Sequence, residues 1–371
     1  MHSIRIEPIA ENLTPRVPEM IGFGRHFTDR MFTHRYTEAD GWGEPSIGPY
    51  RDFILDPAAA AFHCGQMVFE GTKAYRRPDG DLNLFRVDRN VARFNLSAER
   101  MGMPTVDPQL HIEAIEILVG LEHRWVPDVE SASLYIRPVM IATEAALEVR
   151  ASREYLHYII VSPVGPYFPD GFKPVSVYVS HDHVRAVRGG TGEAKTPGNY
   201  AGSIAVSEAA RQKACQQVLW LDAVERRYID EVGAMNIAFV YSGREIRTPP
   251  LSGAILQGVT RDSVMRLTGD LDLEMHEQTM TIDEVWHDIE SGEITEAFGM
   301  GTAAVIAPVG RLVYQDREVS LNGGDSGPVA RRLFDELTAI QYGRSADPYG
   351  WTTVVRLDQI GRVAAAEPSR K

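Results

Sequence analysis

The sequence predicts an α/β (α+β) protein of two domains, on three observations. Helix-period and strand-period stretches are mixed in both halves of the chain. Its 371 residues exceed the ~250–300 at which a single core stops growing. The tract SPVGPYFPDGFKP, at 162–174, holds four Pro and two Gly in 13 residues, which supports neither helix nor sheet and marks a boundary. The domains are placed at residues 1–168 and 175–371, with 169–174 as the linker. The strand spacing carries no clear doubly wound signature.

The first 60 residues are punctuated by Pro and Gly and read as irregular, with short strands. Cys64 to Tyr75 reads as a buried strand opening into a turn, and Asp81–Phe85 as another short strand. Asp88 suits an N-cap, with a helix over Arg89–Met101 whose Val91, Phe94 and Ala98 fall at helical spacing. Leu110–Val126 is a second helix, and Ala132–Ala142 and Tyr155–Val161 are strands. Past the boundary, Val175–Val179 resumes a strand. A Gly-rich loop follows, then a helix near Gly202–Lys213, and strands at Gln217–Asp222 and Ala234–Val240. Further helices are placed near Thr260, at Ile282–Ser291 and at Gly327–Ile340.

Composition excludes several classes of function. With 38 basic and 51 acidic residues, a net charge of −13 argues against nucleic acid, whose phosphates need clustered Lys and Arg. The longest apolar runs fall far short of the ~20 residues of a membrane span. The opening residues contain no continuous apolar run of signal-peptide length. Two cysteines, Cys64 and Cys215, match no metal or redox spacing and suit a reducing compartment. These features point to a cytoplasmic protein that binds neither nucleic acid nor membrane. His181 and His183 share a strand face in this reading but find no third ligand, so no metal is assigned. His63 beside Cys64 is rejected as a nucleophile pair, since neighbours on a strand point to opposite faces.

Four clusters carry the chemistry. Gly189-Gly190-Thr191-Gly192-Glu193-Ala194-Lys195 permits close backbone approach to a ligand. It lacks the ending of a P-loop and the strand–GxGxxG–helix context of a dinucleotide fold. Asp230-Glu231 opens an apolar strand, where a charged residue needs a partner; Arg226 and Arg227 are the nearby candidates. Gln257-Gly258-Val259-Thr260 begins a helix, whose N-terminal N–H groups and Thr hydroxyl suit a phosphate. Phe298-Gly299-Met300-Gly301-Thr302-Ala303 is a second turn of that kind. Arg93 lies on a helix, where a surface salt bridge is the simplest role, since most arginines are exposed, and Arg137 alternates with Tyr135 on one strand face, where a structural buried pair is a real alternative.

Taken in order, FEGTKAY (69–75), LYIRPV (134–139), VGPYF (164–168), GNYAGS (198–203), CQQVLWL (215–221), EVGAMN (231–236), GVTR (258–261), GMGTAAV (299–305) and IQYGR (340–344) resemble the fold-type-IV pyridoxal-phosphate enzymes. The likeness is nearest to the branched-chain amino acid aminotransferases and runs from about Phe23 to Trp351. It implies a smaller N-terminal and a larger C-terminal domain, with pyridoxal 5'-phosphate at their interface, and a homodimer. Lys195 then matches the Schiff-base lysine, Tyr200 the partner of the phenolic oxygen, and Glu231 the partner of the pyridine nitrogen. Arg93, Val259, Thr260 and Thr302 match the phosphate site. Tyr135 and Arg137 match the pair that receives a glutamate side-chain carboxylate, Thr302 and Ala303 the turn for the α-carboxylate, and Phe69 and Cys64 the side-chain pocket. The implied reaction moves the amino group of a hydrophobic L-amino acid to 2-oxoglutarate.

Three positions depart from the family. Cys64 stands where a tyrosine is usual, Ala234 where animal members carry threonine, and Pro197 where the family has glycine. The first two remove bulk and hydroxyls from the side-chain pocket and leave open a changed donor, such as a D-amino acid, an aromatic amino acid or an (R)-amine. Pro197 stiffens the loop beside Lys195. A non-catalytic protein is disfavoured by the complete set Lys195, Tyr200, Glu231 and Arg93. A lyase has no use for the second carboxylate site at Arg137.

Overall fold

The computed structural model describes residues 4–9, 21–129, 131–165 and 171–360. The chain divides into two units, one of residues 1–167 with 339–371 and one of residues 168–338. The boundary expected at residue 168, and the start of the linker, lie outside the described residues.

The first unit is built on a largely antiparallel sheet. Its centre is the hairpin Ser133–Ala142 with Glu154–Val164, paired from Ser133↔Val164 to Ala142↔Tyr155. Arg30–Thr37 adds to the second of these strands and Thr72–Arg76 and Met67–Phe69 to the first. The helices Val87–Arg100 and Pro108–Leu121 cover the sheet through Val87, Val91, Leu110, Ala114 and Leu118, against Leu82, Leu84, Leu134 and Ile136. Asp107 caps the second helix by accepting from the Gln109 and Leu110 amides at 2.8 and 3.0 Å. Asp88 is not the cap of the first: Arg86 holds that position with φ 49°, and Asp88 lies in the first turn, where its charge still faces the positive helix end.

The last described strand corrects the domain assignment. Residues 339–371 are expected in the second domain, yet Thr352–Val355 pairs antiparallel with Leu82–Phe85 of the first unit. The Arg86 amide donates to the Trp351 carbonyl at 2.7 Å, and the Trp351 and Phe85 rings meet edge-on at 5.7 Å. The added strand covers an otherwise open hydrogen-bonding edge, a gain that local sequence pattern does not display.

The second unit wraps its sheet into a ring. Six strands follow in the order Ile229–Val232, Gln217–Leu221, Val175–Ser180, Val305–Tyr314, Ile294–Gly301 and Met235–Tyr241, and the last pairs with the first. Trp220, Phe239 and Phe298 are fully buried in this unit. The helix Ile282–Ser291 falls where its pattern places it, fixed by a capping box between Thr281 and Glu284. His181 and His183 follow the Val175–Ser180 strand in a bend, rather than sharing a strand face. His63 and Cys64 likewise end the short helix Ala60–Cys64.

Candidate active site

The second unit gathers Lys195, Tyr200, Glu231, Val259, Thr260, Thr302 and Ala303. Lys195 ends the Gly-rich turn and is half-buried; its Nζ donates to the Tyr200 hydroxyl at 2.8 Å. Asn199 braces this turn, its amide donating to the carbonyls of Thr191 at 2.7 Å and Ala194 at 2.9 Å. Gly192 is required there, because a Cβ would run into the Ala254 carbonyl and Ala186.

Ring closure places the carboxylate. Glu231 pairs with Trp220 on one side and Asn236 on the other, and Asn236 pairs with Met300. Glu231 and the strand that leads into the Thr302–Ala303 turn are thus separated by one strand. Glu231 is 3% exposed. Its partner is Arg185, with Nε 2.6 Å from Oε2, rather than Arg226 or Arg227. The Asn236 amide donates to Oε1 at 3.1 Å. Burial pushes the Glu231 carboxyl up to about 7, against the opposing pull of Arg185. Asp230 takes the other strand face, and burial raises it to about 6.

Gly258 precedes the helix Val259–Leu267 and offers it no side-chain cap. A Cβ there would strike the Asn236 amide oxygen, so the helix start packs on the residue that holds Glu231. Thr260 is buried. After Thr302 and Ala303, Val305 has φ 63°, a costly conformation for a β-branched residue and one that concentrates at functional turns.

The first unit holds Arg93, Phe69, Tyr135, Arg137 and Cys64. Arg93 is buried, with Nε 2.6 Å from Oε1 of Glu70 and Nη2 donating to Oε2 at 3.0 Å. Glu70, 1% exposed, also accepts from Asn90 Nδ2 and the Gly71 amide, each at 3.0 Å. Arg93 does form a salt bridge, but a buried one rather than the surface pair expected. Removing one partner of such a pair strands a charge at a cost of about 3–5 kcal/mol. Arg137 Nη2 donates to the Tyr135 hydroxyl at 3.0 Å, and its guanidinium lies 4.9 Å from the Phe69 ring centre. Gly71 leaves room for that hydroxyl, which a Cβ would displace. Cys64 is exposed at the end of its helix.

Two residues escaped the sequence reading. Arg185 precedes the Gly-rich loop without a motif of its own. Glu70 stands inside FEGTKAY, but nothing in that segment names Arg93 as its partner. The signal for both is general: a buried cation demands a carboxylate.

An amine beside a phenol, a buried carboxylate and an uncapped helix start form a set able to hold an aromatic aldehyde phosphate and carry amine chemistry. Residues 67–312 match the family model of amino-transferase class IV. Branched-chain-amino-acid aminotransferase 2 of Bacillus subtilis (strain 168) is 47% identical over 353 residues, 95% of this chain and 97% of that protein. A probable branched-chain-amino-acid aminotransferase of Streptomyces coelicolor is 48% identical, over 94% of this chain and 98% of its own length. A T.th. branched-chain amino acid aminotransferase solved with pyridoxamine 5'-phosphate aligns with TM-score 0.69 and 27% identity, covering 87% of this chain and 98% of its own. The donor set fits that phosphorylated pyridine: a phenol beside the amine, a carboxylate for the ring nitrogen, and a helix start for the phosphate. With a matching family model over most of its length and relatives near half identical end to end, the chain belongs to the class IV aminotransferases, enzymes that use pyridoxal 5'-phosphate.

Proposed function

We propose that the chain transfers the amino group of a branched-chain or similar hydrophobic L-amino acid to 2-oxoglutarate, giving a 2-oxo acid and L-glutamate. The observation that carries the reading is the Lys195 amine held on the Tyr200 hydroxyl at 2.8 Å in the same unit as the buried Glu231. Pyridoxal 5'-phosphate supplies the electron sink for the substrate Cα. Lys195 would hold it, and its Nζ would take the proton from the substrate Cα. Tyr200 would bind the phenolic oxygen, and Glu231 would keep the ring nitrogen protonated. Val259, Thr260 and Thr302 would bind the phosphate, a role the family resemblance also gives Arg93. Thr302 and Ala303 orient the α-carboxylate. Tyr135 and Arg137 bind the distal carboxylate of 2-oxoglutarate, and Phe69 and Cys64 line the side-chain pocket. Names borne by the near relatives support the branched-chain donor.

The test is the visible spectrum of purified holoenzyme on addition of single amino acids. L-Leucine, L-isoleucine or L-valine should bleach the cofactor band, and D-amino acids should leave it. A response to D-amino acids or amines alone would sink the donor assignment. Cys64→Tyr restores bulk and a hydroxyl to the pocket and should raise the preference for L-valine over L-phenylalanine by ~10-fold, the scale of a single methylene of fit. An unaltered ratio of kcat/KM removes Cys64 from the pocket.

The partner is proposed to be a second copy of the chain. In the first unit, Ile54 and Val149 are almost fully exposed, with Phe62 and Leu147 exposed as well. The bridge Ala59↔Ala145 sets their two segments side by side. An exposed apolar patch of this kind is a mark of association, and sedimentation at the mass of one chain would contradict it. Among the described residues no helix is long and apolar enough to cross a membrane. The cytoplasm is proposed on the two free thiols; recovery of the enzyme outside the cytosolic fraction would refute it.

A further inference from the structure

We propose that Arg185 is a positioning residue for transamination: it keeps the Glu231 carboxylate charged and ties it to the loop that presents Lys195. The inference rests on the reading of Glu231 as partner of the ring nitrogen.

The Arg185 side chain is 9% exposed, with Nε 2.6 Å from Glu231 Oε2. That contact lacks the alignment of a hydrogen bond, so it acts through charge. Directed bonds come from Nη2, which donates to the Gly192 carbonyl at 3.2 Å and to the Ala254 carbonyl. One planar cation therefore meets three segments: the Gly-rich turn, the loop before Val259, and the strand of Glu231. Lysine, a single point charge on a flexible stem, lacks the fork that meets all three.

Opposing influences set the charge of Glu231. Burial and Asp230 favour its neutral form; Arg185, a backbone hydrogen bond from Leu256, and Lys195 favour its charged form. Of the cations, Arg185 contributes most. A neutral carboxyl cannot keep the ring nitrogen protonated, so the charge that Arg185 preserves is the one the reaction uses.

The test begins with the cofactor-free protein, as stability against pH. A carboxyl raised from 4.5 to about 7 on folding binds more protons folded than unfolded between those values. Stability then falls as pH rises through that interval and levels off above about 7. Arg185→Gln should carry the fall upward by ~1–3 pH units, the reach of a contacting opposite charge. Arg185→Lys should shift it less, and R185Q/E231Q should shrink the fall to the share that buried Asp230, itself raised on folding, contributes. An R185Q curve parallel to wild type would overturn the proposal. Should R185Q alone not fold, recovery in R185Q/E231Q supports it and failure to recover overturns it. In holoenzyme, R185Q and E231Q should each lower kcat by ~10²-fold with little change in KM, and the double variant should fall no further. Unchanged turnover in E231Q would overturn the reading of Glu231 and the catalytic half of the proposal, while the stability curves test the Arg185–Glu231 pairing separately.

Discussion

Lys195→Ala is expected to lose transamination by at least ~10³-fold, the scale on which a positioned proton-transfer group contributes. Alanine can neither bond covalently to an aldehyde nor take a proton. The fold should survive. Lys195 is half-buried, and losing its hydrogen bond to Tyr200 costs about 1 kcal/mol. Two measurements check this together: turnover of L-leucine with 2-oxoglutarate, and desalting after incubation with pyridoxal phosphate. The variant should release the cofactor that wild type retains. Residual turnover within tenfold of wild type would place the covalent attachment on another lysine.

Glu231→Ala should keep much of the cofactor and lose ~10²–10³-fold in kcat, as when one electrostatic contact that strengthens in the transition state is removed. The phosphate and phenolic contacts proposed for Arg93, Thr260, Thr302 and Tyr200 are untouched by the change. The ring nitrogen, however, loses the carboxylate that favours its protonated form. Alanine also leaves Arg185 without its counter-charge, so E231Q, which retains a polar group near the guanidinium, is the cleaner companion. Steady-state kcat and KM with bound-cofactor absorbance distinguish the outcomes. A raised KM with unchanged kcat would mean that Glu231 binds rather than activates.

Much of this architecture is legible in the residues, and the exceptions have physical causes. The helix Ile282–Ser291 follows from its apolar period and the Thr281–Glu284 box, both local. Gly, Pro and paired carboxylates mark the segments that hold Lys195, Tyr200 and Glu231, and the family resemblance selects those residues within them. The first helix begins at Val87 rather than after Asp88, because Arg86 adopts a left-handed backbone that its side chain does not advertise. Arg185 and Glu70 are invisible for a different reason. Each acquires meaning through a carboxylate or guanidinium distant in sequence, and only the closed ring of strands or the packed Val87–Arg100 helix brings the two together. Thr352–Val355 is the same case for a strand: its partner Leu82–Phe85 is a tertiary choice.

That returning strand also imposes an order on biosynthesis. The 168–338 unit is continuous and can close its ring soon after leaving the ribosome. The first unit, though translated earlier, waits with Leu82–Phe85 unpaired on one edge until Thr352–Val355 emerges. During that interval the edge is a template for other chains, and the loop to be closed is among the longest the chain contains, which slows the pairing. Truncation near residue 345 would therefore harm a domain encoded almost entirely upstream. Thr352–Val355 acts as the latch on a unit whose other strands precede it by almost 190 residues or more.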